Sequence, residues 1–160
     1  MNKQEFVNKL SGGFYGDQSS LEAKLAAIAD KLFDALQKPV EILTANRALT
    51  AEDSGKIFLV ATDALVISLP ATVAGLDFTF INTGAAGNNL ITISPVAADG
   101  ISGTITLASS VVVDAGVVNK DLINTKATAK TGDTVRLIGT GVTGTKAWVI
   151  ASSTGIWAAE

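Results

Sequence analysis

From residue 41 onward, turn-forming residues interrupt the chain at a spacing of about ten, the rhythm of an all-β sandwich or barrel. The punctuation falls at Asp53-Ser54-Gly55, Ala74-Gly75, the run from Gly84 to Asn89, Ala98-Asp99-Gly100, Ala115-Gly116, Thr131-Gly132-Asp133, the run from Gly139 to Gly144, and Ser153-Thr154-Gly155. Between these lie short segments rich in Val, Ile and Thr, whose branched side chains suit a pleated surface. They predict strands over 42–49, 56–61, 65–69, 78–82, 90–94, 103–107, 111–113, 126–131, 134–139, 146–152 and 156–158, with 121–124 as an interruption. Residues 41–160 carry 12 of the 15 glycines, so the turns have the backbone freedom they need.

Alternation along these strands picks out core positions. Phe78 and Phe80 share a face, as do Ile91 and Ile93, Val135 and Leu137, and Trp148 and Ile150. Ile57, Leu59 and Ala61 alternate with the equally apolar Phe58 and Val60, which predicts a strand buried on both faces. Trp148 is assigned to the core; Trp157, followed only by Ala-Ala-Glu, is expected to cap the barrel end or to face a partner, and is counted among the partner contacts.

The first 40 residues read differently. Five acids and five lysines balance there, and Ser19-Ser20-Leu21-Glu22 has the spacing of a capping box. Leu21, Leu25, Ile28, Leu32 and Ala35/Leu36 then recur on one side until Pro39 stops the helix. The expected organisation is an arm over 1–18, an α-helix over 19–39 and a β-sandwich or barrel over 40–160. In the arm, Phe6, Val7 and Leu10 form one apolar face, and Phe14 and Tyr15 sit in the Gly12-Gly13…Gly16 joint. So short a segment would not hold a helix alone in water, so these five residues are expected to dock on another chain.

Composition removes most chemistry. With no His and no Cys, a His-based triad, a thiolate nucleophile, a zinc finger and a disulfide framework are all excluded. A formal charge of −3 gives no basic face for nucleic acid. The stretch from Gly139 to Gly144 contains G-x-G-x-x-G, but Lys146-Ala-Trp148-Val-Ile follows, a strand where a dinucleotide fingerprint needs a helix. It is read as a hairpin loop. The acids at Glu52-Asp53, Asp63, Asp77, Asp99, Asp114, Asp121 and Asp133 mostly stand in turns, where a carboxylate bonds its own backbone. No cofactor and no metal site is expected. No 18-residue apolar stretch suggests a membrane span, and Glu5 and Lys9 stand where a secretory signal would be apolar. A chain 48% hydrophobic and only 17% charged is expected to hide surface against partners.

The phrases Leu49-Thr-Ala-Glu-Asp-Ser-Gly-Lys-Ile-Phe-Leu59, Ile67-Ser-Leu-Pro70, Ala74-Gly-Leu-Asp-Phe-Thr-Phe80, Asp99-Gly-Ile-Ser-Gly103, Gly132-Asp-Thr-Val-Arg-Leu137, Trp148-Val-Ile and Gly155-Ile-Trp157 occur in that order. Together they resemble a module of tailed-bacteriophage virion proteins, above all head decoration (cement) proteins. The resemblance spans about residues 45–158. It implies a structural protein without an active site, made in the host cytoplasm and mounted on the capsid exterior. Its partners would be the major capsid protein and itself, as a homotrimer between capsomers. The alternatives are a tail or fibre/receptor-binding virion module, and a sandwich-type enzyme or lectin. The single short helix disfavours a fibre stem, and the lack of a catalytic constellation disfavours an enzyme.

Overall fold

The structure is a computed structural model of the 160-residue chain; it describes residues 18–36, 38–107 and 110–160, with helix side chains over 23–33. Two compact units divide it, Met1–Lys38 and Pro39–Glu160.

In the first unit, helix α1 spans Gln18–Leu36. It begins before Ser19, whose backbone therefore lies inside the first turn and not at the N-cap position. Ile28 and Leu32, expected on the buried stripe, are 60% and 48% exposed.

The second unit is β-structure in two sheets, strands numbered in chain order. The larger sheet runs β1 (Val40–Leu43), β3 (Ile57–Val60), β5 (Asp77–Asn82), β10 (Thr134–Gly139), β11 (Gly144–Thr154), β7 (Asp99–Thr106), β8 (Val111–Asp114). The smaller runs β12 (Trp157–Ala159), β9 (Leu122–Asn124), β6 (Ile91–Ser94), β4 (Leu65–Ser68), β2 (Arg47–Ala48). The first six strands alternate between the sheets and pair in parallel within each, β1 with β3 with β5 and β2 with β4 with β6. The chain thus winds around the core before later strands close both sheets, mostly antiparallel; β11 with β7 is the parallel exception.

Alternation puts one set of side chains between the sheets. The larger sheet contributes Phe58, Phe78, Phe80, Val135, Leu137 and Trp148; the smaller contributes Leu65, Ile67, Ile91, Ile93, Leu122 and Trp157. Phe58 stacks on Phe80 and Phe78 tilts against Trp148, both at 5.5 Å between ring centroids. Each such side chain contributes about 1.5–3 kcal/mol by leaving water.

The strand expected over 42–49 is two strands in different sheets, because the chain crosses from one layer to the other between Leu43 and Arg47. There Asn46 Oδ1 accepts the Val66 amide (2.9 Å), tying the crossing to β4. The strand expected over 126–131 is a series of turns, and the expected interruption at 121–124 holds β9. The β3 strand is buried on one face only: Phe58 and Val60 point inward, Ile57 and Leu59 are half-buried, and Ala61 is exposed. The loop from Gly139 to Gly144 joins antiparallel β10 and β11 as a hairpin.

Candidate functional site

Most polar side chains inside the β unit serve the turns. Asp53 sits at the end of a short 3₁₀ turn, Ala51–Asp53, and accepts the Thr50 amide (2.9 Å), the Thr50 hydroxyl (3.2 Å) and the Lys56 ammonium (2.6 Å). Burial pushes its carboxyl up, but Lys56 and Thr50 outweigh that and hold the pKa at about 2. Lys56 also reaches Glu41 at 3.2 Å, so the knot ties β1 to the start of β3.

A second knot joins the sheets. Asn89 Nδ2 donates to Asn82 Oδ1 (2.9 Å), Asn82 Nδ2 to Asn124 Oδ1 (2.7 Å), and Asn124 Nδ2 to Asp133 Oδ2 (2.9 Å). Asn124 also donates to the Ile156 carbonyl at 3.0 Å. All four side chains are buried, so their mutual bonds replace lost water. Gly155 closes this knot: its φ is +86°, and an added Cβ would overlap the Asp133 carboxylate.

Four other acids are similarly engaged. Asp63 accepts the Leu90 amide (2.9 Å) and pairs with Lys126; Asp77 forms a two-pronged pair with Arg136 at 2.8 and 2.7 Å; Asp99 accepts the Thr72 amide (2.9 Å); Asp114 accepts the Gly116 amide (2.9 Å). Lys126 and Lys130, read from sequence as a strand edge, stand on the turns after β9. Among the described residues no three acids come together as metal ligands, and no helix is long and apolar enough to cross a membrane.

Among the described residues, two hollows on the β unit bear on function. One, about 250 Å³, includes Leu107, Lys130, Asp133 and Ile156; its buried carboxylate, Asp133, is already bonded to Asn124 and to the Lys130 amide (2.9 Å). The other, about 430 Å³, is apolar and lies between the ends of the two sheets, lined by Ile105, Leu107, Val112, Ile156, Trp157 and Ala159 among others.

Exposed apolar side chains stand on both end strands of the larger sheet. On β8, Val111, Val112 and Val113 are 62%, 47% and 73% exposed; on β1, Val40 and Ile42 are 58% and 66% exposed. These strands are the two ends of the larger sheet. Edge strands usually carry charge, proline or a bulge against accidental pairing. Three consecutive valines offer none of these. The run was legible as a strand, but its exposure follows only from its place at the end of the sheet.

Of the residues expected to contact a partner, Phe6, Val7, Leu10, Phe14 and Tyr15 lie outside the described residues. Trp157 is 3% exposed and belongs to the core, a correction to its expected role. Pairing of β12 with β9 puts Trp157 opposite the buried Asn124 and turns the indole inward, where Nε1 donates to the Thr154 carbonyl at 3.0 Å. No family model, curated protein or solved structure matches the chain.

Proposed function

We propose that the chain is a bacteriophage capsid decoration (cement) protein that binds the outer surface of the mature head between capsomers and stabilises the shell, self-associating there as a trimer. The observation that carries the assembly role is the exposure of Val40 and Ile42 on one end strand and of Val111, Val112 and Val113 on the other, on a braced two-sheet body. A patch of this kind is stabilised by being covered, and self-association or docking on a lattice covers it. The assignment to a phage head rests on the resemblance of the turn phrases to virion proteins.

The mechanism is binding free energy. A protein that binds the expanded lattice and not its disrupted state stabilises the lattice by mass action. Many weak contacts repeated around a shell add by effective concentration. The bracing at Asp53 and around Asn82, Asn124 and Asp133 suits this work, because a rigid body loses little conformational entropy on docking. No bond is made or broken.

The test is quantitative mass spectrometry on purified virions whose genome carries this gene, with heads and tails separated. A cement protein appears in the head fraction at a copy number comparable with the major capsid protein, and antibodies reach it on intact particles. Absence from virions overturns the proposal. Recovery only with tails, in few copies, replaces it with the tail-module reading.

A further inference from the structure

We propose that the two free edges of the larger sheet are the two halves of one contact, with β8 of one copy pairing antiparallel to β1 of the next. Among the described residues each of these strands pairs on one side only. Their backbone phases can be read from single hydrogen bonds. The Leu107 amide donates to the Ser110 carbonyl at 2.8 Å, which makes those two a hydrogen-bonded pair of the β7–β8 hairpin. Such pairs alternate along an antiparallel ladder. Ile105–Val112 and Gly103–Asp114 are therefore hydrogen-bonded too, and Val111 and Val113 turn their amides and carbonyls outward. On the other edge, the Ile57 amide donates to the Pro39 carbonyl at 2.9 Å. With Val40 in register with Ile57, residues Pro39, Glu41 and Leu43 face β3, while Val40 and Ile42 face outward.

Each edge thus presents two outward-facing residues separated by one inward-facing residue. Direction agrees as well. β1, β3 and β5 run one way, β10 the other, β11 and β7 the first way again, and β8 the second. Rotation about an axis along the strands keeps these directions, so β8 meets the next copy's β1 antiparallel. The matching register sets Val113 against Val40 and Val111 against Ile42 as hydrogen-bonded pairs, with Val112 against Glu41 between them.

Side chains fit this register. Val111 and Val113 lie on the face away from the core, since Val112 is the residue opposite the buried Ile105. Val40 and Ile42 also lie on that outer face, since Glu41 stands in register with the buried Phe58. The contact joins these four exposed residues into one apolar patch. Asp114 falls opposite Pro39, and the Glu41 carboxylate stays with Lys56, so no like charges oppose. Self-pairing of β8 about a two-fold axis would satisfy its own backbone but leave Val40 and Ile42 uncovered. A head-to-tail contact builds a ring when the rotation closes. Closure at three rests on the proposed function; the pairing itself does not.

The chain has no cysteine, so engineered thiols report the register without background. Non-hydrogen-bonded neighbours have Cα atoms about 4.5 Å apart, within disulfide range. The double variant Glu41→Cys/Val112→Cys, mildly oxidised, is expected to give covalent species ending in a closed trimer of three times 16.3 kDa. Each single variant is expected to stay uncrosslinked. A disulfide dimer from Val112→Cys alone overturns the proposal in favour of β8 self-pairing. No crosslink from a double variant with a native circular dichroism spectrum also overturns it. Complementation gives an independent reading. Val113→Lys and Ile42→Lys should each be monomeric, whereas their equimolar mixture retains one intact junction and forms dimers only. Unchanged trimers from either lysine variant refute the contact. Head binding, measured separately, keeps the two proposals apart: crosslinking without head binding removes the cement role alone, and head binding without crosslinking removes this contact alone.

Discussion

Truncating Trp157 to alanine tests whether the last strand is structural. The indole is 3% exposed and lies in the core with Leu122, Ile105 and neighbouring residues. Its Nε1–H donates to the Thr154 carbonyl at 3.0 Å, across the turn that Gly155 makes possible. Cutting a buried Trp to Ala costs about 3–5 kcal/mol through lost transfer energy and residual cavity. The apolar hollow beside it already opens to solvent, so the site can relax partly and the lower half of that range applies. For a β unit of this size, 1 kcal/mol moves the melting temperature by about 3–5 °C, so a fall of about 9–20 °C is expected. Differential scanning calorimetry on residues 39–160, the separate compact unit, checks this, with circular dichroism at low temperature confirming that the variant folds. A melting temperature within about 2 °C of the parent, together with lost self-association, would refute the reasoning and return Trp157 to an interface.

Other variants probe the knots and the core. Trp148→Phe should cost far less than Trp148→Ala, because Trp148 is fully buried yet its Nε1 has no hydrogen-bond partner among the described residues; urea unfolding compares them. Gly155→Ala should destabilise by at least about 1–3 kcal/mol, since it forces a positive φ on a residue with a side chain and displaces the Asp133 carboxylate; the same urea measurement reads it. The Asp53 carboxyl, held at about 2 in the folded chain against 3.8 ordinarily, contributes stability that is complete above about pH 4 and lost as pH falls through 2. Lys56→Met should flatten that slope of unfolding free energy against pH between 4 and 2, whereas an unchanged slope would assign it to other carboxylates.

The residues that made the fold legible are those whose alternation survives intact. Phe78/Phe80, Ile91/Ile93 and Val135/Leu137 announce their faces directly, and all are buried. Alternation says which way a side chain points but not which strand lies alongside, so the parallel winding of the first six strands stayed hidden. The strand β9 was missed because its inward positions are Leu122 and Asn124, and a lone buried asparagine in a polar stretch reads as a turn former. Only the partners Asn82 and Asp133, far off in sequence, make Asn124 a core residue. Trp157 is hard to place for a related reason: with only Ala-Ala-Glu after it, the indole reads as a cap on the barrel end or as a partner contact, while pairing of β12 with β9 is a tertiary fact. The exposed valines of β8 carry the converse lesson, since β-propensity cannot distinguish a central strand from an edge.

The cement role is tested most directly by the strength of the heads themselves. Purified heads stripped of this chain, and the same heads with the protein restored, are heated while DNA release is followed with an intercalating dye. Restoring the protein is predicted to raise the release midpoint in a concentration-dependent, saturable way that levels off at full occupancy. The same midpoint with and without bound protein would contradict a stabilising role.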